Sequence, residues 1–167
     1  MSTQYEERQS FDQPREKVLR MFSDRAYFER KYAASGGWDI KVLEHELDGK
    51  RFRIKCSYSR KPDADVPGFA KKFIGDSVQV TQEDVWDLET ASGRLAIEIR
   101  NAPIRMSAAM RVEEEKGGCV NVLQWTLNCP VPLIGSKLEQ MLATEMRNKA
   151  AADLEISRRL LADYRER

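Results

Sequence analysis

Charged residues recur at four-residue spacing in the last segment of the chain, at Glu145, Lys149 and Asp153. In a helix they share a face with Leu138, Met141, Leu142, Ala152, Ile156 and Leu160. A carboxylate on an apolar face can anchor the polar group of a ligand, or act as a general acid or base when burial raises its pKa. If the helix is rotated, the charges instead form an ion-pair ladder in solvent. The inward residues are then Leu142, Met146 and Ala150. The sequence permits both orientations of Glu145.

Other residue types that support catalysis are sparse. The single histidine, His45, lies in "VLEHEL" among charged neighbours, a position that indicates solvent or a sheet edge and does not favour a nucleophile-histidine arrangement. Three cysteines, Cys56, Cys119 and Cys129, lack the spacing of a zinc or redox motif and are interpreted as reduced residues of the core or sheet. The sequence therefore predicts no catalytic residue, no metal site and no cofactor.

The first part of the chain predicts a strand followed by two short helices. Tyr5 and Phe11 share a face of a strand over residues 3–11. Asp12 is the predicted N-cap of the first helix, and Gly36 and Gly37 end the second.

After Gly37 the apolar period becomes two, which predicts six further strands. The first two form a hairpin that turns at Asp48 and Gly49 and buries one face. Between the third and fourth strands, residues 61–74 predict a loop with a helical turn whose apolar residues dock on the domain: Phe69, Phe73 and Ile74. The strands together form a meander of about seven.

The chain then enters one long helix. It begins at Pro132 or Ser136, and Ser136 with Glu139 has the spacing of a capping box. About 30 residues of helix would be about 45 Å long at 1.5 Å per residue. A helix of this length can cover the apolar face of an antiparallel sheet, and a curved sheet leaves space beneath a straight helix. The predicted fold class is thus α+β, a curved antiparallel sheet wrapped around a C-terminal helix.

This order of elements, with the segments "MFSDRAYFERKY", "VPGFAKKFIGDSVQVTQEDVWD" and "VPLIGSKLEQML", resembles the START-like helix-grip superfamily, in a branch of conserved bacterial proteins of unknown function. The resemblance covers nearly the whole chain and implies a cavity for lipids, sterols, polyketides or other apolar small molecules. It implies no particular catalytic residues.

The cavity wall is predicted from inward positions on the strands and on the last helix. Methionines suit a surface that accepts varied apolar shapes, although they also serve as plain core filler. Because a buried indole needs a partner for its N–H, we expect at least one tryptophan to lie near Gln82, Gln124 or Glu145. The predicted ligand-binding residues are Phe52, Ile54, Trp86, Met106, Met110, Trp125, Leu138, Met141, Leu142 and Glu145.

The amino-acid composition limits the kinds of partner that the protein is expected to bind. With 28 Lys and Arg against 27 Asp and Glu, the formal net charge is +1, which does not favour nucleic-acid binding. The sequence has no apolar run of the roughly 20 residues that a membrane span needs, and its N-terminus does not resemble a signal peptide. We expect a single domain over residues 1–167, soluble and cytoplasmic, that is monomeric or a homodimer.

Three functions are compatible with these observations. The first is binding of an apolar small molecule or lipid-like metabolite between the sheet and the helix. The second is a cyclase or hydratase that uses Glu145 as a buried acid, although no second base is evident. The third is an interaction or chaperone-like module that uses an outer sheet face or groove on a protein partner, which an exposed apolar patch beside residues 61–74 would favour. We expect binding rather than catalysis.

Overall fold

The computed structural model describes residues 2–62 and 66–164. The elements, in chain order, are β1 (Thr3–Phe11), α1 (Arg15–Phe22), α2 (Arg25–Ala34), β2 (Trp38–Asp48), β3 (Arg51–Arg60), β4 (Val78–Asp87), β5 (Ser92–Ile99), β6 (Arg105–Glu115), β7 (Gly118–Asn128) and α3 (Gly135–Leu161). The predicted succession of a strand, two short helices, a strand meander and one long helix is confirmed.

The seven strands form one antiparallel sheet in the order β1-β7-β6-β5-β4-β3-β2. Consecutive strands from β2 to β7 pair with one another, and short turns join β2 to β3, β4 to β5 and β6 to β7. The first strand pairs with the last, in a register that runs from Thr3 opposite Leu127 to Phe11 opposite Cys119. This pairing brings the N-terminal strand beside the strand that leads into α3.

One face of the sheet is covered by all three helices. Inward side chains alternate along β1, β4 and β6, as the period of two predicts, whereas every residue of β2, at the sheet edge, is exposed or half-buried. On β3 the buried side chains include Phe52, Ile54 and Cys56. The helices α1 and α2 place aromatic rings over one part of this face. Phe22 stacks on Trp86 at 5.3 Å between ring centroids, and Phe28 stacks on Phe52 at 5.9 Å. This part of the domain is therefore a solid aromatic core.

Two helix starts differ from the sequence-based predictions. The first helix begins at Arg15 with Pro14 in the N-cap position, so the assignment of Asp12 as N-cap is wrong. Proline supplies a favourable φ at a helix start without a side-chain cap. The long helix begins at Gly135 after Ile134, so the capping box of Ser136 and Glu139 is also wrong.

Glu139 has a tertiary role instead. Its side chain is buried, with 3% of its surface exposed. One carboxylate oxygen accepts a hydrogen bond from the backbone N–H of Cys129 at 3.0 Å, and the other accepts from the hydroxyl of Thr3 at 2.9 Å. The carboxylate therefore joins the start of α3 to the first strand and to the residue that follows the last strand.

The segment between β3 and β4 contains a short helical turn, as predicted, in the form of a 3₁₀ turn at Gly68–Ala70. Residues 63–65, which the predicted loop includes, lie outside the described residues. Ile74 is buried and Phe73 packs against the core, whereas 36% of the Phe69 side chain is exposed. Ile74 thus contributes to the wall beneath the long helix.

Candidate functional site

A cavity of about 210 Å³ lies between the sheet and α3. The four central strands each provide an aliphatic side chain, and α3 provides two more: Val80, Ile97, Met106, Leu123, Leu142 and Met146. Polar residues from α2 and from both halves of the sheet complete the wall. The site is thus an apolar chamber with polar groups on two opposite sides.

Four of the ten predicted ligand-binding residues line this cavity, namely Met106, Trp125, Leu142 and Glu145. Five others are buried in the core away from the cavity wall: Phe52, Ile54, Trp86, Met110 and Leu138. Met141 is partly buried and packs against the core. For Phe52 and Trp86 the rings of α1 and α2 explain this placement, because Phe28 and Phe22 stack on them.

Helix α3 presents two neighbouring rows of side chains to the cavity. One row is aliphatic and comprises Leu142, Met146 and Ala150. The other comprises Glu145, Lys149 and Asp153. The two orientations that the sequence permits therefore describe adjacent strips of one cavity-facing surface. Ala152, which the sequence places on the apolar face, is exposed.

On the side of β1 and β7, a chain of hydrogen bonds ends at the Glu7 carboxylate. The indole N–H of Trp125 donates to one oxygen at 3.1 Å, and the Gln9 amide donates to the other at 2.8 Å. Gln9 in turn accepts from the amide of Asn121 at 3.2 Å. For Trp125 the polar partner of the indole is thus Glu7, which is not among the three partners that the sequence suggests, whereas the buried Trp86 indole N–H has no hydrogen-bond partner among the described residues.

On the opposite side, the phenol rings of Tyr32 and Tyr58 stack at 4.3 Å between centroids. Burial raises the pKa of Tyr58 to about 12 and, with help from Asp84, that of Tyr32 well above its usual range. Both phenols therefore keep their protons near neutral pH and can donate hydrogen bonds.

Behind this wall, Asp84 is buried and accepts a hydrogen bond from the Gln82 amide at 2.9 Å. Burial raises the pKa of Asp84 to about 6, although Lys31 and the Gln82 hydrogen bond both lower it. For Lys31, burial opposes the charged form, but Tyr27, Asp84 and Asp153 outweigh burial and raise the pKa. The Lys31 ammonium therefore remains charged beside the cavity.

Sequence reasoning missed Glu7, Gln9, Lys31, Tyr32 and Tyr58, which all line the cavity. A signal for the first two was present, because the alternation that turns Tyr5 and Phe11 inward turns Glu7 and Gln9 inward as well. Both residues are polar, whereas the predicted wall consists almost entirely of apolar residues.

The remaining candidates for chemistry lie elsewhere. His45 is exposed on β2, an edge strand of the sheet, and its ring contacts Phe52 edge-on. Cys56, Cys119 and Cys129 are buried free thiols whose pKa values are raised chiefly by burial. Within residues 2–62 and 66–164, no three His, Cys, Asp or Glu side chains are grouped to bind a metal ion. In the same part of the chain, no helix is long and apolar enough to span a membrane.

Several solved structures are similar to this chain along nearly their whole length. TTHA0849 from Thermus thermophilus is 19% identical, with a TM-score of 0.62 and 97% of each chain covered. Ara h 8.0201 is 12% identical, with a TM-score of 0.63 and 97% of this chain and 99% of that chain covered. A protein from Rhodobacter sphaeroides is 11% identical, with a TM-score of 0.61 and coverages of 98% and 95%. These likenesses show a helix-grip fold.

Residues 6–161 match the family described as "Protein of unknown function (DUF2505)", and the chain belongs to that family. No curated protein matches the chain.

Proposed function

We propose that this protein binds an apolar small molecule in the cavity between the sheet and α3, as a member of the START-like superfamily. The observation that supports this most directly is the chamber itself, whose aliphatic walls come from four strands and one helix. A helix-grip fold is a type that binds small molecules. Apolar walls with a few convergent polar groups are typical of ligand sites.

The volume limits the size of the ligand. Cavities for drug-sized molecules span roughly 300–1,000 Å³, and an apolar cavity of about 150 Å³ accepts benzene. The observed 210 Å³ suits a ring with a short substituent or a short aliphatic chain. A lipid-sized molecule would need the walls to move apart.

A cavity-filling substitution on α3 tests this proposal. Ala150 lines the cavity and is half-buried, whereas its neighbour Ala151 is exposed. In Ala150→Phe the new ring would occupy most of the chamber, so binding of the uncharged probe phenethyl alcohol should fall by about tenfold or more. Ala151→Phe adds the same ring to the outer face of the same helix and should leave binding unchanged.

Binding is measured by calorimetry and by amide shifts in two-dimensional NMR spectra. Equal affinity of the probe for both variants would place binding outside the cavity and contradict the proposal. Circular dichroism and thermal unfolding show whether each variant is folded.

Acid–base catalysis of the cyclase or hydratase type is a second candidate, which the carboxylates of Glu145 and Asp153 on the cavity wall favour. Native mass spectrometry of protein purified from its own source would identify a co-purified molecule. Turnover of that molecule by the wild type, but not by Glu145→Gln, would support catalysis. Retention without turnover would support binding alone.

A further inference from the structure

The Glu7 carboxylate lies on the cavity wall and is held in a fixed position. Both of its oxygens accept hydrogen bonds, from the Trp125 indole at 3.1 Å and from the Gln9 amide at 2.8 Å. Gln9 is itself held by the Asn121 amide. A carboxylate has about four acceptor sites, so two remain for a group in the cavity.

The two donors that hold Glu7 are both uncharged, so neither balances its negative charge. Among the described residues, no lysine or arginine forms an ion pair with Glu7. The guanidinium of Arg147 lies over the ring of Tyr5, 4.5 Å from the centroid, and Lys149 is on α3 beside Glu145. A charge beside apolar surface is costly unless an opposite charge and hydrogen bonds compensate it.

We propose that the ligand of this cavity is a small amine, whose protonated nitrogen pairs with Glu7 while its apolar body contacts Leu123, Met106 and Ile97. An ammonium group supplies both the opposite charge and the N–H donors that the free acceptor sites require. Trp125 and Gln9 are positioning residues in this arrangement, since they fix the carboxylate and do not pair with the amine. The inference rests on the proposed binding function.

Three probes with the same ring and chain length separate these two proposals. They are phenethylamine, phenethyl alcohol and phenylacetate, which present a cation, a neutral hydroxyl and an anion. Near neutral pH we expect the amine to bind about tenfold more tightly than the alcohol, and the anion to bind most weakly.

Substitutions then assign the preference to Glu7. Glu7→Gln keeps the shape and removes the charge, so the amine should lose its advantage of about tenfold over the alcohol. The matched control is Glu6→Gln on the outer face of the same strand, where Glu6 is exposed and bonded to the Gln124 amide at 2.8 Å. This control should retain the amine preference.

Trp125→Phe provides a second variant that keeps the carboxylate. It retains an aromatic ring beside Tyr5, with which Trp125 stacks at 6.4 Å, and removes the indole N–H. Affinity for the amine should fall several-fold further than affinity for the alcohol, and this change in the ratio of the two affinities distinguishes positioning of Glu7 from general damage to the cavity.

The outcomes distinguish the two proposals. If the alcohol binds in the cavity and the amine binds no better, or if Glu7→Gln keeps the amine preference, the amine inference is wrong while the binding function survives. If none of the three probes binds, both fail. A stronger affinity for phenylacetate would assign the ligand's charge to Lys31 on the opposite wall and would also overturn the inference.

Discussion

Removal of the buried Glu139 carboxylate should loosen the attachment of α3 to the sheet. In Glu139→Ala the N–H of Cys129 loses its acceptor, which costs about 1–3 kcal/mol for a buried donor, and the bond from Thr3 to a charged acceptor adds about 1.5 kcal/mol. A total of about 3 kcal/mol corresponds to a fall in Tm of about 6–12 °C, since 1 kcal/mol shifts Tm by about 2–4 °C in chains of this size. Thermal unfolding followed by circular dichroism measures the effect.

Two control variants separate the effect of the Glu139 hydrogen bonds to Cys129 and Thr3 from the effect of removing any glutamate from α3. Thr3→Val removes only the hydroxyl donor and should cost about half as much as Glu139→Ala. Glu155→Ala removes a glutamate from the exposed face of the same helix, where Glu155 pairs with Arg159, and should cost less than about 1 kcal/mol. If Glu139→Ala shifts Tm no more than Glu155→Ala does, the hydrogen bonds of Glu139 to Cys129 and Thr3 do not hold the helix in place.

Two further predictions concern Asp84 and Gly93. Because the folded-state pKa of Asp84 is about 6 against an ordinary 3.8, the folded state binds the proton more tightly. The free energy of unfolding of the wild type relative to Asp84→Asn should therefore be greatest below about pH 4 and fall by roughly 3 kcal/mol as the pH rises through about 6. Urea unfolding of both proteins over this pH range measures the change. A difference in stability between them that does not vary with pH would contradict the prediction. In Gly93→Ala the new Cβ would lie 2.4 Å from the carbonyl oxygen of Val85 and 2.9 Å from the Trp86 ring, so we expect a loss of about 1–3 kcal/mol. Gly68→Ala, which meets nothing within 4 Å, should be nearly neutral in the same unfolding assay.

The order of helices and strands could be predicted because the residue pattern of each strand lies within the strand itself. Alternation of the kind seen at Phe52, Ile54 and Cys56 requires only neighbouring residues, and turn residues such as Gly49 separate the hairpins. The pairing of β1 with β7 is different, since it joins segments more than a hundred residues apart and no local pattern encodes it.

The helix start at α3 shows a second limit. Ser136 and Glu139 have the residue types and spacing of a capping box, but a side chain bonds to whichever partner the folded chain brings closest. Here the tertiary partners are Cys129 and Thr3, which satisfy Glu139 from outside the helix. A local motif can thus be displaced by partners that only the fold brings together.

The cavity wall was harder to predict than the fold, because alternation shows which side chains point inward and not what they meet there. Phe52 and Met106 are both inward residues of the same sheet. Phe28 stacks on Phe52, whereas Met106 faces open space beneath α3. The difference depends on the rings of α1 and α2, which cover one part of the face and leave the other unfilled.

The position of Glu145 follows from the same geometry. At 100° per residue, the rows that begin at Leu142 and Glu145 lie about 60° apart on the helix. A helix packed against a solid core buries one apolar strip, so the choice between these rows looks exclusive. Over an open chamber, a wider arc of the helix faces inward, and both rows line the wall. A charged row beside an aliphatic row is therefore an informative pattern in this fold, since it indicates a helix that covers a cavity in which polar and apolar parts of one ligand could both be bound.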